Sequence, residues 1–220
     1  MKNIESNFKE SRKYKPNKKF SDRATVNKDV FSDLAKSYRN NPDAFWADHA
    51  NNEINWREKF KTICSGIAPN FEWFKEGKLN VSENCIDRHV DKNNNAIIHI
   101  SENNQKKIIS YADLYKDVNN FSYALNSLGL ERGARVIIYM PTIPESIIAM
   151  LSCARLGLIH SVVFAGFSSE SLKNRIDDCR AELVITVDTF KRNGKVIRAK
   201  DMVDNALQSS CSSVKKLIVF

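Results

Sequence analysis

Glycine is scarce in this chain of 220 residues. There are seven, never two adjacent, so the sequence contains no glycine-rich cradle for a phosphate and no G-x-x-x-x-G-K-[ST] loop. It also has no G-x-S-x-G elbow and no H-E-x-x-H pair, which removes the hydrolase and zincin readings those motifs carry. The five cysteines (Cys64, Cys85, Cys153, Cys179, Cys211) form no C-x-x-C and no zinc-ligand spacing. They read as reduced, packed apolar residues, with no metal centre, in a cytoplasmic compartment. No apolar run approaches the roughly 18 residues of a membrane span. The opening MKNIESNFKESRKYKP has no apolar core of a secretory signal, and Glu5 and Glu10 argue against a mitochondrial leader.

The composition is that of an ordinary globular protein, 42% hydrophobic and 27% charged, with a net charge of +8. The charge is uneven. Residues 1–30 carry nine Lys/Arg against four Asp/Glu, and the remaining residues carry 25 against 22. A basic tail can touch nucleic acid or an anionic membrane, but this one carries no binding motif, so neither partner is expected. Residues 1–28 read as a disordered basic arm.

Residues 29–92 read as a helical, aromatic-rich cap. Val30, Phe31, Leu34 and Tyr38, then Phe45, Trp46 and His49, recur at helical spacing, and Asn41-Pro42 breaks the run. Trp56, Phe60, Phe71, Trp73 and Phe74 continue the aromatic stretch. Asn80 with Glu83 resembles a capping box. Asp87-Arg88-His89 reads as a charged triplet that fixes a helix by an ion pair.

Residues 93–220 carry an α/β rhythm. AIIHI and KKIIS form a hairpin around Ser101–Gln105. A helix follows, capped at Ser110, with Leu114, Val118, Phe121, Leu125 and Leu128 as its apolar stripe and Gly129 at its end. Short β-branched runs at Val136–Tyr139, Ser161–Phe164 and Leu183–Val187 then alternate with helices, the pattern of a parallel sheet. Thr142 with Glu145 predicts a capping box, and Ile147, Ile148, Leu151 and Leu156 are expected to face the sheet. Ser168 caps a helix carrying Leu172 and Ile176. Lys200–Gln208 is helical, and Leu217-Ile218-Val219-Phe220 begins a strand with no closing segment, so a truncated subdomain is expected.

Two loops follow strands, where open α/β sheets bind ligands. One is Ala165-Gly166-Phe167. The other is Lys191-Arg192-Asn193-Gly194-Lys195, whose two cations around a glycine suit a phosphate, although a merely solvated basic loop fits the same residues. His160-Ser161 is not a base beside its nucleophile, because adjacent strand residues point to opposite faces.

Three stretches, residues 73–90 (WFKEGKLNVSENCIDRHV), 135–176 (RVIIYMPTIPESIIAMLSCARLGLIHSVVFAGFSSESLKNRI) and 184–200 (VITVDTFKRNGKVIRAK), closely resemble the N-terminal portion of the AMP-forming acetyl-CoA synthetases, in the acyl-adenylate-forming superfamily. The resemblance runs from about Asn41 to Phe220. It implies a truncated α/β architecture, a helical cap followed by part of a parallel-sheet subdomain. It implies an acetate–CoA ligase that makes acetyl-AMP from acetate and MgATP and passes the acetyl group to CoA, with no prosthetic group. It implies CoA contacts at Arg192, Asn193, Gly194 and Lys195, and an adenine and pantetheine path along Phe164, Ala165, Gly166 and Ile197.

Departures from the family pattern are Lys195 for a common Arg, Ala165 for Gly, Thr142 for Met, Glu83 for an aromatic and Ala134 for Asp. Propionyl-CoA synthetases share much of the pattern. A stand-alone CoA- or nucleotide-binding module and an RNA-binding fragment are the rival readings. The family's Ser/Thr/Gly-rich phosphate loop and adenylation lysine have no counterpart in these residues, so no catalytic residue is assigned. The 220-residue chain is therefore expected to catalyse no acetate-dependent exchange of pyrophosphate into ATP. Exchange that rises with acetate above background would overturn this reading.

Overall fold

The computed structural model describes residues 12–209 and 211–220, in two compact units. The first comprises the described residues up to Ile54 together with Thr62–Lys75. Its helices are α1 (Lys18–Ser21), α2 (Lys28–Asn40) and α3 (Pro42–Glu53), and its hairpin pairs β1 (Thr62–Ile67) with β2 (Asn70–Lys75). Asparagines start the helices. The Asn27 side chain accepts the amides of Asp29 and Val30, and Asn41 accepts that of Ala44, with Pro42 in the first turn of α3. Tyr38, Phe45 and Trp46 meet edge to face, and Trp46 meets Trp73 of β2 at 5.8 Å.

Two expectations change in this unit. Part of the arm expected to be disordered forms α1, a single turn capped by Asn17 that buries no residue, while residues 1–11 lie outside the described residues. The cap expected to be helical contains the β1–β2 hairpin. Its aromatic NFEWFK strand suits a pleated surface, and Ala68-Pro69 supplies the turn between the strands.

The second unit comprises Asn55–Lys61 and Glu76–Phe220, so residues 76–92, read from sequence as part of the cap, are compact with the sheet. It contains α4 (Val81–Cys85) and a 3-10 segment, Asp87–Lys92. The hairpin of β3 (Asn95–Ile100) and β4 (Lys106–Ser110) follows, then α5 (Tyr111–Ser127), β5 (Arg135–Met140), α6 (Pro144–Leu156), β6 (Ile159–Phe164), α7 (Ser169–Cys179) and β7 (Leu183–Thr186). A second hairpin, β8 (Thr189–Arg192) and β9 (Lys195–Arg198), precedes α8 (Ala199–Ser209) and β10 (Lys216–Val219). Among the described residues the main sheet runs β10-β7-β5-β6, all parallel. β10 is therefore an edge strand.

Val136, Ile137, Ile138 and Tyr139 are all essentially inaccessible, so β5 is covered on both faces, as the near-continuous apolar run RVIIYM requires. Helix α6 serves two cores. Ala149 and Cys153 join the sheet core, and Ile148 joins Ile86, Ile109, Leu114 and Val118 in a second cluster. Leu156 packs toward the sheet as expected, but Ile148 and Leu151 turn to the second cluster. The five thiols form no disulfide, and burial pushes Cys153 up to about 12. No helix among the described residues is long and apolar enough to cross a membrane.

The caps at Ser110, Ser168 and Asn80 form as expected. Asn80 also donates to the carbonyls of Ala154 and Arg155 at the end of α6. Two capping boxes do not close. Glu83 gives its carboxylate to Arg57, a charge-assisted fork that outcompetes one neutral amide, and its carboxyl is held below the usual range by that guanidinium. At α6 the cap is Ile143, with no side-chain bond, while Glu145 pairs with Lys107 at 3.1 Å. Asp87 ion-pairs with Arg155 of α6 through two bonds, so the charged triplet ties the 3-10 segment to a distant helix.

The buried end of β5 is tied by side chains. The Tyr139 hydroxyl donates to the carbonyl of Phe167 at 2.8 Å and lies 3.2 Å from that of Ala165. The Thr186 hydroxyl donates to the Tyr139 carbonyl at 2.9 Å. Tyr139→Phe is expected to lower unfolding stability by about 1 kcal/mol, one net hydrogen bond, with faster amide exchange at Phe167 than in the sheet interior. Urea denaturation with residue-resolved exchange checks this.

Candidate functional site

The carboxyl ends of the parallel strands lie where the chain changes direction. β5 and β7 are neighbours, yet the chain continues from β5 to β6 on one side and from β7 to β10 on the other. Such a reversal opens a crevice in a doubly wound sheet. A cleft of about 370 Å³ lies there, lined by Pro141–Ile143 after β5, Phe164 at the end of β6 and Ala165 after it, Phe190–Arg192 of β8, and residues 99–103 of the β3–β4 hairpin, the first of this unit. Its volume is within the range of small-molecule pockets, roughly 300–1,000 Å³.

The basic segment expected as a loop is the tip of the β8–β9 hairpin. Asn193 and Gly194 have φ of 51° and 72°, the pair of left-handed residues that a two-residue type I′ turn demands. Arg192 and Lys195 are direct partners across it, and Phe190 pairs with Ile197. Side chains alternate along a strand, so Phe190, Arg192, Lys195 and Ile197 share one face. The expected site residues Arg192, Lys195 and Ile197 thus come together, although only Arg192 of the three lines the cleft. The described ion pairs include none of Lys191, Arg192 and Lys195.

Phe164 and Gly166 join this group through Arg192. The guanidinium lies 4.8 Å from the centre of the Phe164 ring, within cation–π range. A Cβ on Gly166 would stand 2.4 Å from both the Arg192 Nη1 and the Phe164 Cε1. Glycine is required here for close approach. Phe164 meets Phe167 edge to face, and Arg175 of α7 stacks on Phe167 at 5.3 Å. The result is a ladder of cation, ring, ring and cation.

Sequence reasoning missed Glu102 and the other first-hairpin residues. The Glu102 carboxylate accepts the amides of Asn193 at 2.6 Å and Gly194 at 3.4 Å. About ninety positions separate these partners, and a lone acid in a polar loop carries no signal of such a contact. His160 is half-buried on β6, and burial lowers its pKa toward the neutral form. Ser161 follows it on the strand, consistent with a structural pair.

Comparison with known proteins follows these contours. The family model described as AMP-binding enzyme matches residues 86–219, and the one described as acetyl-coenzyme A synthetase N-terminus matches residues 31–85. Acetyl-coenzyme A synthetase of Laribacter hongkongensis is 44% identical over all of this chain and 34% of its own length. That of Pasteurella multocida is 41% identical over 98% of this chain and 34% of its own. The chain thus spans about a third of the length of these relatives. Acetoacetyl-CoA synthetase from Streptomyces lividans superposes with a TM-score of 0.76 at 22% identity, over 82% of this chain and 28% of that one, a likeness of fold. With residues 86–219, more than half of its length, matched, the chain belongs to the AMP-binding enzyme family.

Proposed function

We propose that this chain supplies the CoA-phosphate contacts of an AMP-forming acetate–CoA ligase. In that reaction an acetate oxygen attacks the α-phosphorus of MgATP and pyrophosphate leaves. The CoA sulfur then attacks the acyl carbon of acetyl-AMP, losing its proton, and AMP departs with the electron pair of the broken C–O bond. The residues described here serve the second step. The odd number and scattered spacing of the five cysteines support a cytoplasmic location for the chain.

The observation that carries the reading is the cation pair across the Asn193-Gly194 turn. A phosphate needs donors that are charged, close together and not already paired. Arg192 and Lys195 are directly opposite at the hairpin tip and lie outside the described ion pairs. Arg192 keeps its guanidinium over Phe164 because Gly166 leaves the space. Support for the acyl group comes from the relatives, named acetyl-coenzyme A synthetase at 41–44% identity.

The test measures binding of CoA and of dephospho-CoA to the chain by calorimetry. Arg192→Ala is expected to weaken CoA by about 1.5–3 kcal/mol, the cost of a charged hydrogen bond, and to abolish the preference for CoA over dephospho-CoA. Lys195→Ala acts in the same direction and less steeply, since an ammonium has no planar fork. In an active ligase carrying this segment, Arg192→Ala raises KM for CoA and leaves acetate-dependent pyrophosphate exchange intact. Loss of exchange with unchanged CoA affinity would reject the assignment.

Gly166→Ala gives an independent check. The added methyl group would stand 2.4 Å from both the Arg192 guanidinium and the Phe164 ring, so one or both must move and their contact is lost. CoA affinity is expected to fall in the direction of Arg192→Ala, by about 1 kcal/mol, an exposed cation–π contact. Dephospho-CoA affinity should change less.

A further inference from the structure

Glu102 is out of place by charge. It puts a carboxylate in the lining of a cleft whose other charged groups are Lys191 and Arg192, and an anionic ligand would be repelled by it. Its contacts explain its position. The carboxylate accepts from two successive amides, Asn193 N–H at 2.6 Å and Gly194 N–H at 3.4 Å. These belong to the two turn residues, which lie between the last ladder partners Arg192 and Lys195. Neither Arg192 nor Lys195 is its ion-pair partner among the described residues. The acid thus holds the backbone of the turn and leaves the two cations available.

The acid is itself held. Ser101 and Gln105 close the β3–β4 loop through Ser101 N–H to the Gln105 carbonyl at 3.0 Å and Gln105 N–H to the Ser101 hydroxyl at 3.1 Å. Asn104 N–H adds a bond to the Ser101 carbonyl at 2.9 Å. The loop bearing Glu102 is therefore a closed turn, and Lys107 of β4 pairs with Glu145 at the start of α6. Through these contacts the first hairpin braces the tip of the second. A two-stranded hairpin with four-residue strands is marginal by itself, so its tip needs such a brace if two cations are to stay in register.

Resting on the CoA reading above, we propose that Glu102 is a positioning residue for the phosphate site: it fixes the Asn193-Gly194 turn through its backbone amides so that Arg192 and Lys195 face one anion together. A residue that was only a repelling charge would do the opposite, and its removal would tighten binding.

Two variants separate these roles. Glu102→Ala removes both the acceptor and the charge, whereas Glu102→Gln keeps an acceptor oxygen and removes the charge. Glu102 is exposed, so both variants are expected to fold. Amide exchange in the ligand-free chain is read first. Glu102→Ala should accelerate exchange at Asn193 and Gly194 by roughly tenfold, the loss of a charge-assisted bond, with Val184 and Ile185 of β7 unchanged. Glu102→Gln, which keeps one acceptor oxygen, should retain protection at Asn193, the shorter of the two bonds, and lose it at Gly194. CoA binding is read second. Glu102→Ala should weaken CoA by roughly three- to tenfold, and Glu102→Gln should bind CoA at least as tightly as the parent chain.

Unchanged exchange at the two turn amides in Glu102→Ala would overturn the proposal, and so would tighter CoA binding by that variant. A parent chain that does not distinguish CoA from dephospho-CoA would reject the CoA reading instead. The exchange result would then still decide whether Glu102 holds the turn.

Discussion

The Tyr139 hydroxyl is the point on which the site depends. It lies at the inaccessible end of β5 and donates to the carbonyl of Phe167, beside that of Ala165. A buried phenol needs a partner, and these carbonyls need a donor. The bond pins the segment that follows β6 over the strand that precedes α6. Thr186 secures the same end of β5 from the other side through the Tyr139 carbonyl. The crevice therefore has a floor that cannot shift without unpairing buried polar groups, and burial raises the Tyr139 pKa, which keeps the hydroxyl protonated as a donor.

Above that floor the arrangement is more polar. The ladder from Arg192 through Phe164 and Phe167 to Arg175 is held by ring contacts at the surface. The hairpin tip is held by a carboxylate distant in sequence.

The parallel strands were legible because β5 and β7 are apolar over most of their length, and α5 was legible because Leu114, Val118, Phe121, Leu125 and Leu128 repeat at helical spacing. The two short hairpins were not. β8 and β9 have four residues each and carry exposed cations, so no alternation rises above the charge. The Asn-Gly pair between them is the strongest local hairpin signal, but it stood inside a basic run that drew attention to its charge. In β2 the aromatic positions gave no strand pattern, because most remain exposed. The failed capping boxes share one cause. Glu83 and Glu145 found lysine or arginine partners from other parts of the chain, and sequence spacing contains no information on such partners. Of the site, the residue types at 191–195 were legible. Glu102 and the fit of Gly166 beneath Arg192 required the fold.

Placing Arg192 and Lys195 opposite each other on a ladder has a consequence for energy storage. Like charges in that position repel, at a cost of a few tenths of a kcal/mol or more, and low ionic strength enlarges it. The position of the guanidinium over the Phe164 ring offsets part of that repulsion. An anion held between the two side chains would offset the remainder. Screening by salt would lower the same repulsion without any ligand.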